Sequence, residues 1–108
     1  NCDNLAPSNL LVQCTSTQCE LECATSNACN ALLYSCNNDD GNTTDTTSCT
    51  INCQDTNSCS GLTVISNSAI LDVNCNTANS CLDSSFVCNP STLNGAAQCT
   101  LNCDANSC

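Results

Sequence analysis

The 108-residue sequence has no Lys, Arg, His, Trp or Met, and only one Tyr and one Phe. Nucleophile–base relays, Schiff bases and cationic stabilisation of oxyanions all need a basic side chain, so these forms of catalysis are excluded. Ten acidic residues give a formal net charge of −10, which repels nucleic acid and anionic membrane surfaces. No stretch approaches the ~18 apolar residues of a membrane span. We expect no enzyme activity, no cofactor, no nucleic-acid partner and no membrane insertion.

Cysteine is abundant instead, with fifteen residues in the chain. This fraction exceeds the ~8–10% that is typical of disulfide scaffolds, which stabilise chains too poor in large apolar side chains to build a big core. A metal–thiolate cluster is the alternative, but such chains interleave Cys with Lys and carry few aliphatic residues. The composition therefore predicts a secreted protein in an oxidising, extracellular compartment.

One short segment recurs four times with the same alternation of residue types. Its first, third and fifth positions are Cys or aliphatic, and its second and fourth are polar, which is the pattern of a strand with one buried face. The four copies are Cys19–Cys23, Cys49–Cys53, Leu71–Cys75 and Cys99–Cys103. We expect their central residues, Leu21, Ile51, Val73 and Leu101, to stack inside the protein.

A polar corner follows each copy and ends in Asn-Ala-Cys or Asn-Ser-Cys. Asn tolerates left-handed backbone and can bond to its own turn, so a turn role explains these residues. Stacked on adjacent coils, the same amides would also form a hydrogen-bonded Asn ladder. The predicted ladder residues are Asn27, Asn57, Asn79 and Asn106. A second alternating strand follows the corner, as in Leu32, Tyr34 and Cys36.

Two strands, one corner and a variable return loop per repeat predict an all-β fold, a disulfide-stapled parallel β-helix of about four coils. We expect a right-handed solenoid, because right-handed crossovers dominate parallel connections. The chain reads as a single domain over 1–108. It divides into a partial coil 1–18, coils 19–48, 49–70 and 71–98, and a partial coil 99–108.

The repeat also suggests how the cysteines pair. The two cysteines that flank each corner occur together in four copies. The cysteine that ends a second strand and the one that opens the next coil are both replaced at one junction, by Ser66 and Leu71, as expected for a bonded pair. Bonding between equivalent cysteines of successive coils is the alternative, because the ~4.8 Å spacing of paired strands also allows a disulfide. The predicted bridges are Cys14–Cys19, Cys23–Cys29, Cys36–Cys49, Cys53–Cys59, Cys75–Cys81, Cys88–Cys99 and Cys103–Cys108.

These pairs leave Cys2 over. An unpaired cysteine in a secreted chain indicates a bond to another chain or to a missing segment, and a buried free thiol is the alternative. The sequence also opens and closes in mid-coil, so we expect either a piece of a longer array or copies that add head-to-tail into a filament. Trimmed or disordered termini would explain the same observation.

The return loop after Cys36 is rich in Thr, Asn and Asp and contains the sequon Asn42-Thr43-Thr44. We expect an N-linked glycan at Asn42 and O-linked sugar as a further modification of the loop. The candidate O-linked sites are Thr43, Thr44, Thr46 and Thr47. Asp39, Asp40 and Asp45 are a weak Ca²⁺ candidate, since their spacing does not match an EF-hand loop; solvated acidic residues are the alternative. No other metal is expected.

Cys-x-aliphatic-x-Cys, Asn-Ser-Cys and the Thr-rich loop together resemble the cysteine-rich extracellular filament proteins of glycosylated flagellar hairs (mastigonemes). That resemblance implies self-association into a rigid, sugar-coated fibre. At the level of the scaffold the chain also resembles the disulfide-rich antifreeze β-solenoids of beetles, although Thr15-Ser-Thr17 is the only Thr-x-Thr triplet beside a coil strand. A monomeric surface adhesin, or an ice- or glycan-binding solenoid, is therefore the alternative function.

Overall fold

The computed structural model describes residues 11–37, 47–89 and 98–108. These residues form eight β-strands, and long strands alternate with short ones because each coil contributes one of each. The strands are β1 (Leu11–Cys14), β2 (Gln18–Cys23), β3 (Leu33–Cys36), β4 (Ser48–Cys53), β5 (Thr63–Ser66), β6 (Ile70–Cys75), β7 (Ser85–Cys88) and β8 (Gln98–Cys103). The described segments contain no helix with the length and apolar character needed to cross a membrane.

The strands assemble into two four-stranded parallel sheets. Sheet 1 has the order β1-β3-β5-β7, and sheet 2 has the order β2-β4-β6-β8. Each strand pairs with the equivalent strand of the next coil, so equivalent residues of the repeat lie side by side. This arrangement confirms the predicted all-β parallel β-helix of about four coils.

Sheet 2 contributes a column of aliphatic side chains to the core. Leu21, Ile51 and Val73 are in register and are at most 1% exposed, as the alternation predicts. Leu101 continues the column but is 51% exposed, so the prediction that it is buried is wrong. β8 is an outer strand that pairs only with β6, and Leu101 lines a cavity that opens to solvent at this end of the stack.

Sheet 1 contributes the facing column, in which Val12, Tyr34, Val64 and Phe86 are in register. Tyr34 and Val64 are buried in the two inner strands, whereas Val12 and Phe86 in the outer strands are half-buried. Tyr34 is the largest of the fully buried side chains. In sheet 1 the two middle members are therefore buried most completely, because only those have a described strand on each side, whereas in sheet 2 the outer Leu21 is buried as completely as Ile51 and Val73.

Seven disulfides link the strands, and their pairings are the ones that the repeat predicts. Their Cα–Cα distances run from 5.8 to 6.5 Å, within the usual range for a disulfide. One group closes the corners, as Cys23–Cys29, Cys53–Cys59, Cys75–Cys81 and Cys103–Cys108. The other group joins consecutive coils, as Cys14–Cys19, Cys36–Cys49 and Cys88–Cys99.

The first three corners adopt left-handed backbone at two positions each, and the last corner at one. The corner asparagines Asn27, Asn57, Asn79 and Asn106 have φ between 57° and 63°, as expected of turn residues that tolerate this conformation. Four residues further on, Ala31, Gly61 and Asp83 have φ of 55°, 68° and 56°. Gly61 is the unstrained choice there, since glycine has no Cβ.

Backbone hydrogen bonds also join the corners of neighbouring coils. The amide of Cys29 donates to the carbonyl of Ser58 at 2.7 Å, and the amide of Cys59 donates to the carbonyl of Ser80 at 2.8 Å. The corner bridges are therefore held one above another by backbone bonds as well as by the strands of sheet 2.

The junction without a disulfide offers a direct engineering test. Ser66 and Leu71 occupy the register positions of Cys36 and Cys49, and they are five residues apart, like Cys14 and Cys19. The variant Ser66→Cys/Leu71→Cys is expected to form an eighth bridge, detectable as a mass loss of two hydrogens and resistance to alkylation.

Closing so short a loop stabilises by roughly 2 kcal/mol. Truncating buried Leu71 and removing the Ser66 hydroxyl, which accepts a bond from the Ser68 amide at 3.2 Å, costs about 1–3 kcal/mol. Urea unfolding should therefore place the variant within about 1 kcal/mol of the parent. Two alkylatable thiols at these positions would contradict the proposed register.

Candidate functional site

The outer face of sheet 2 carries a ladder of side-chain amides. Asn74 donates through Nδ2 to Oδ1 of Asn52 at 3.0 Å, and Asn102 donates in the same way to Asn74 at 2.9 Å. The three residues are neighbours in register on β4, β6 and β8. In parallel, in-register strands, identical amides stack at one strand spacing and can hydrogen-bond along the stack.

Carboxylates serve as acceptors beside this amide ladder. Oε1 of Glu20 accepts a bond from Nδ2 of Asn52 at 3.3 Å, and Oε1 of Glu22 accepts one from Nε2 of Gln54 at 2.8 Å. Asn102 also donates to Asp72, at 3.2 Å. In all of these bonds the donor lies one coil later in the chain than the acceptor, so the ladder has a direction.

A second, shorter amide contact lies at the edge of sheet 1. Nδ2 of Asn67 donates to Oδ1 of Asn37 at 2.7 Å. Both residues directly follow a strand of sheet 1, and Asn89 holds the same place after β7. The backbone amides of all three donate to the preceding coil, at 2.9, 3.1 and 2.7 Å, which keeps the side chains aligned.

The amide ladder is therefore not where the sequence analysis expects it. No hydrogen bond joins the side-chain amides of the described corner residues Asn27, Asn57, Asn79 and Asn106 to one another, and the Asn27 amide donates instead to Ser26 Oγ. The corner asparagines are turn residues. On the strands, backbone pairing holds the side-chain amides one strand spacing apart, which allows them to hydrogen-bond to one another. The signal for the strand ladder was present in the sequence as Asn52, Asn74 and Asn102 in equivalent positions.

The ladder predicts a measurable contribution from its middle member. Asn74→Ala removes an acceptor for Asn102 and a donor for Asn52, and we expect a loss of about 1 kcal/mol in the free energy of unfolding. Asn76→Ala is the matched control, because Asn76 is exposed, lies beyond the end of β6 and keeps its backbone bond to Cys53. Equal urea midpoints for the two variants would show that the ladder contributes nothing to stability.

Most of the predicted modification residues lie outside the described part of the chain. These are Cys2, Asp39, Asp40, Asn42, Thr43, Thr44, Asp45 and Thr46. Thr47 is described, and the structure argues against it as a sugar site. It is 2% exposed, and its Oγ1 accepts a hydrogen bond from the Ala69 amide at 2.9 Å, so the folded chain does not present this hydroxyl.

The outer faces of the two sheets differ in charge. Along β2, β4, β6 and β8, one outward column of sheet 2 reads Glu20, Thr50, Asp72, Thr100. Acidic residues thus interrupt any run of threonine on this face. The outward residues of the described strands of sheet 1 are uncharged, and they include Leu11, Ile65 and Val87 at 58%, 43% and 39% exposure.

At the β7/β8 end of the stack, the space between the sheets opens to solvent. A cavity of about 250 Å³ lies there, lined mainly by apolar groups from both sheets. Its lining residues are Leu71, Val73, Phe86, Cys88, Cys99, Thr100 and Leu101. The end therefore presents the inside of a coil as a surface, framed by β7 and β8, whose outer edges pair with no other described strand.

Comparison of the chain with protein-family models, with curated proteins and with solved structures found no match.

Proposed function

We propose that this chain is a structural module of a secreted, glycosylated fibre in which copies stack end to end. The disulfide-rich solenoid is typical of a secreted structural domain, and its bridges indicate an oxidising environment. The open, apolar coil end at β7 and β8 is the observation that supports stacking. The resemblance to flagellar-hair proteins favours the same role, with a glycan at Asn42. The role needs no catalysis and no cofactor.

A second copy fits this end by continuing the repeat. Its β1 would pair with β7 and its β2 with β8, and both sheets would run on in parallel. In the register of the internal coils, β2 of the second copy would lie beside β8 and cover Leu101, which is 51% exposed. That contact would remove the exposed apolar surface of Leu101 from water, so the gain is hydrophobic.

The polar positions of the junction are less well matched than the apolar ones. In the same register, Glu22 of the second copy would lie beside Asn102, whose amide already donates to Asp72 and Asn74. The internal ladder always receives a donor from the later coil, and a carboxylate supplies none. Each copy also carries a net charge of −10. Stacking should therefore be weak at low salt and stronger when charge is screened.

Negative-stain microscopy and light scattering of the native material at low and at high salt test the proposal. We expect filaments or elongated oligomers at high salt. Glu22→Gln should assemble at lower salt than the parent, because the amide provides the missing donor and removes a charge.

Leu101→Asp should stop assembly, and Ile65→Asp is its control, since Ile65 is also exposed, at 43%, but lies on an inner strand. A single monodisperse species at every salt concentration would overturn the proposal and favour a monomeric adhesin.

A further inference from the structure

The four corner disulfides form a continuous column of sulfur atoms through the protein. Cys23, Cys53, Cys75 and Cys103 are in register on sheet 2, and each is bonded to the cysteine at the end of its own corner. In three overlapping groups the Sγ atoms lie within 4.8 Å of one another. The groups are Cys23/Cys53/Cys59, Cys53/Cys75/Cys81 and Cys75/Cys103/Cys108. Every bridge of the column is therefore a near neighbour of the next.

From this geometry we propose that the column is a thiol–disulfide exchange relay, by which a small thiol that opens the last corner bridge releases a thiol at the first. The inference is independent of the fibre proposal, since it depends only on contacts within one chain. Cys103 and Cys108 are the exposed entry point, whereas the cysteines of the first two corner bridges are fully buried. Exchange needs a thiolate within reach of a disulfide sulfur, and the column supplies that contact at each coil.

The first steps use the entry bridge. The thiolate of a small thiol attacks Sγ of Cys108, forms a mixed disulfide and displaces Cys103 as a thiolate. Cys103 then attacks Sγ of its neighbour Cys75, which forms Cys75–Cys103 and displaces Cys81. If the small thiol attacks Cys103 instead, the displaced Cys108 is also within 4.8 Å of Cys75.

The same exchange repeats twice. Cys81 attacks Cys53, forming Cys53–Cys81 and displacing Cys59. Cys59 attacks Cys23, forming Cys23–Cys59 and displacing Cys29, which takes up a proton. Each step breaks one S–S bond and makes one, so no oxidant is consumed and the number of disulfides, counting the mixed one, is unchanged. Bridges within a coil become bridges between coils.

Burial slows the inner steps of the relay, which follow the opening of the exposed entry bridge. Cys53 and Cys59 are fully buried, and burial disfavours the thiolate, so the inner steps need transient opening of a corner. The initiating step depends on the thiolate of the small thiol. For free cysteine, with a pKa of about 8.5, the thiolate fraction and hence the initiation rate rise about tenfold per pH unit below that value.

The coil-junction bridges provide an internal comparison. Ser66 and Leu71 take the place of a coil-junction bridge and pair in register with Cys88 and Cys99. Cys88–Cys99 therefore has no disulfide beside it in the preceding coil. Exchange that starts at Cys88–Cys99 therefore has no path along its own column. The corner column has no such gap over the described coils.

Peptide mapping of the intact chain tests the relay. The oxidised protein is treated with one equivalent of free cysteine at pH 7.5, quenched with N-ethylmaleimide, denatured and cut before aspartate. Trypsin would not serve, since the chain has no Lys or Arg. In the native pairing, fragment 72–82 carries only the bridge Cys75–Cys81 and is released alone. After exchange it is joined to 83–103 and to 45–54, fragment 55–71 is joined to 3–38, and maleimide is found on Cys29.

The expected result is a progressive loss of free fragment 72–82, about tenfold slower at pH 6.5 than at pH 7.5. Among the described cysteines, Cys75→Ser/Cys81→Ser should confine maleimide to Cys103 and Cys108. Cys88→Ser/Cys99→Leu, which copies the natural Ser66/Leu71 junction, should leave the relay working. If the column variant does not fold, the three new linkages in the parent chain still decide the matter. Among the described cysteines of the parent, maleimide restricted to Cys103 and Cys108, with fragment 72–82 fully released, would overturn the proposal.

Discussion

Complete reduction of the seven disulfides is expected to abolish the parallel β-structure. Nine of the nineteen buried apolar residues in the described chain are half-cystines, so the bridges make up about half of the core as well as constraining the unfolded chain. At roughly 2–4 kcal/mol each, even with incomplete additivity, seven bridges can account for the whole of a typical net stability of about 5–15 kcal/mol. The few remaining aliphatic side chains cannot replace that contribution.

Far-UV circular dichroism after reduction and alkylation measures this effect. The strand signal should be replaced by that of an unfolded chain, and alkylation without reductant should leave it unchanged. Retention of the strand signal by the fully reduced, alkylated chain would contradict the assignment of stability to the bridges.

Ile51→Ala is expected to produce the largest loss of stability among single substitutions in the aliphatic column. Ile51 is 0% exposed and has Leu21 and Val73 on either side, so truncation leaves a cavity that neither neighbour can fill. We expect a loss of about 2–5 kcal/mol in the free energy of unfolding, measured by urea denaturation of the oxidised protein.

Leu101→Ala is the matched control for this substitution, because Leu101 occupies the same repeat position but is 51% exposed. Its truncation removes little buried area, and we expect a loss below about 1 kcal/mol in the monomer. Similar losses at the two positions would mean that the coil end is covered in solution. The two substitutions together therefore measure the contribution of the core and show whether the β7/β8 end is covered in solution.

The alternation of residues and the joint presence or absence of cysteines were sufficient to predict the fold and its bridges. A period of two identifies a buried face without knowledge of the partner strand, so Leu21, Ile51 and Val73 were predicted as core. The replacement of a cysteine pair by Ser66 and Leu71 distinguished bridging between consecutive coils from bonding along the columns. The alternation and the paired cysteines are local or recur along the chain, so the sequence is enough to predict what they imply.

The amide ladder shows where such reading fails. Asn appears both at the corners and on the strands, and its recurrence at all four corners favoured the corners. The side chains that bond are those whose backbones are held in register by sheet pairing, at Asn52, Asn74 and Asn102. The left-handed backbone of Ala31 and Asp83 was likewise invisible in the sequence, because neither residue type marks that conformation and the corner geometry imposes it.

The sequence by itself determined the two strands per coil, the parallel stacking and the disulfide partners, because periodic burial and paired cysteines depend on the repeat alone. Only the tertiary structure decided that Leu101 is exposed, that Thr47 is buried against the Ala69 amide and that sulfur atoms of different coils approach within 4.8 Å. Each of these depends on which coil lies next to a residue and at what distance. The packing of the coils sets those relations. The sequence does not reveal them, because equivalent residues share the same repeat pattern whether they lie in the middle of the stack or at its end.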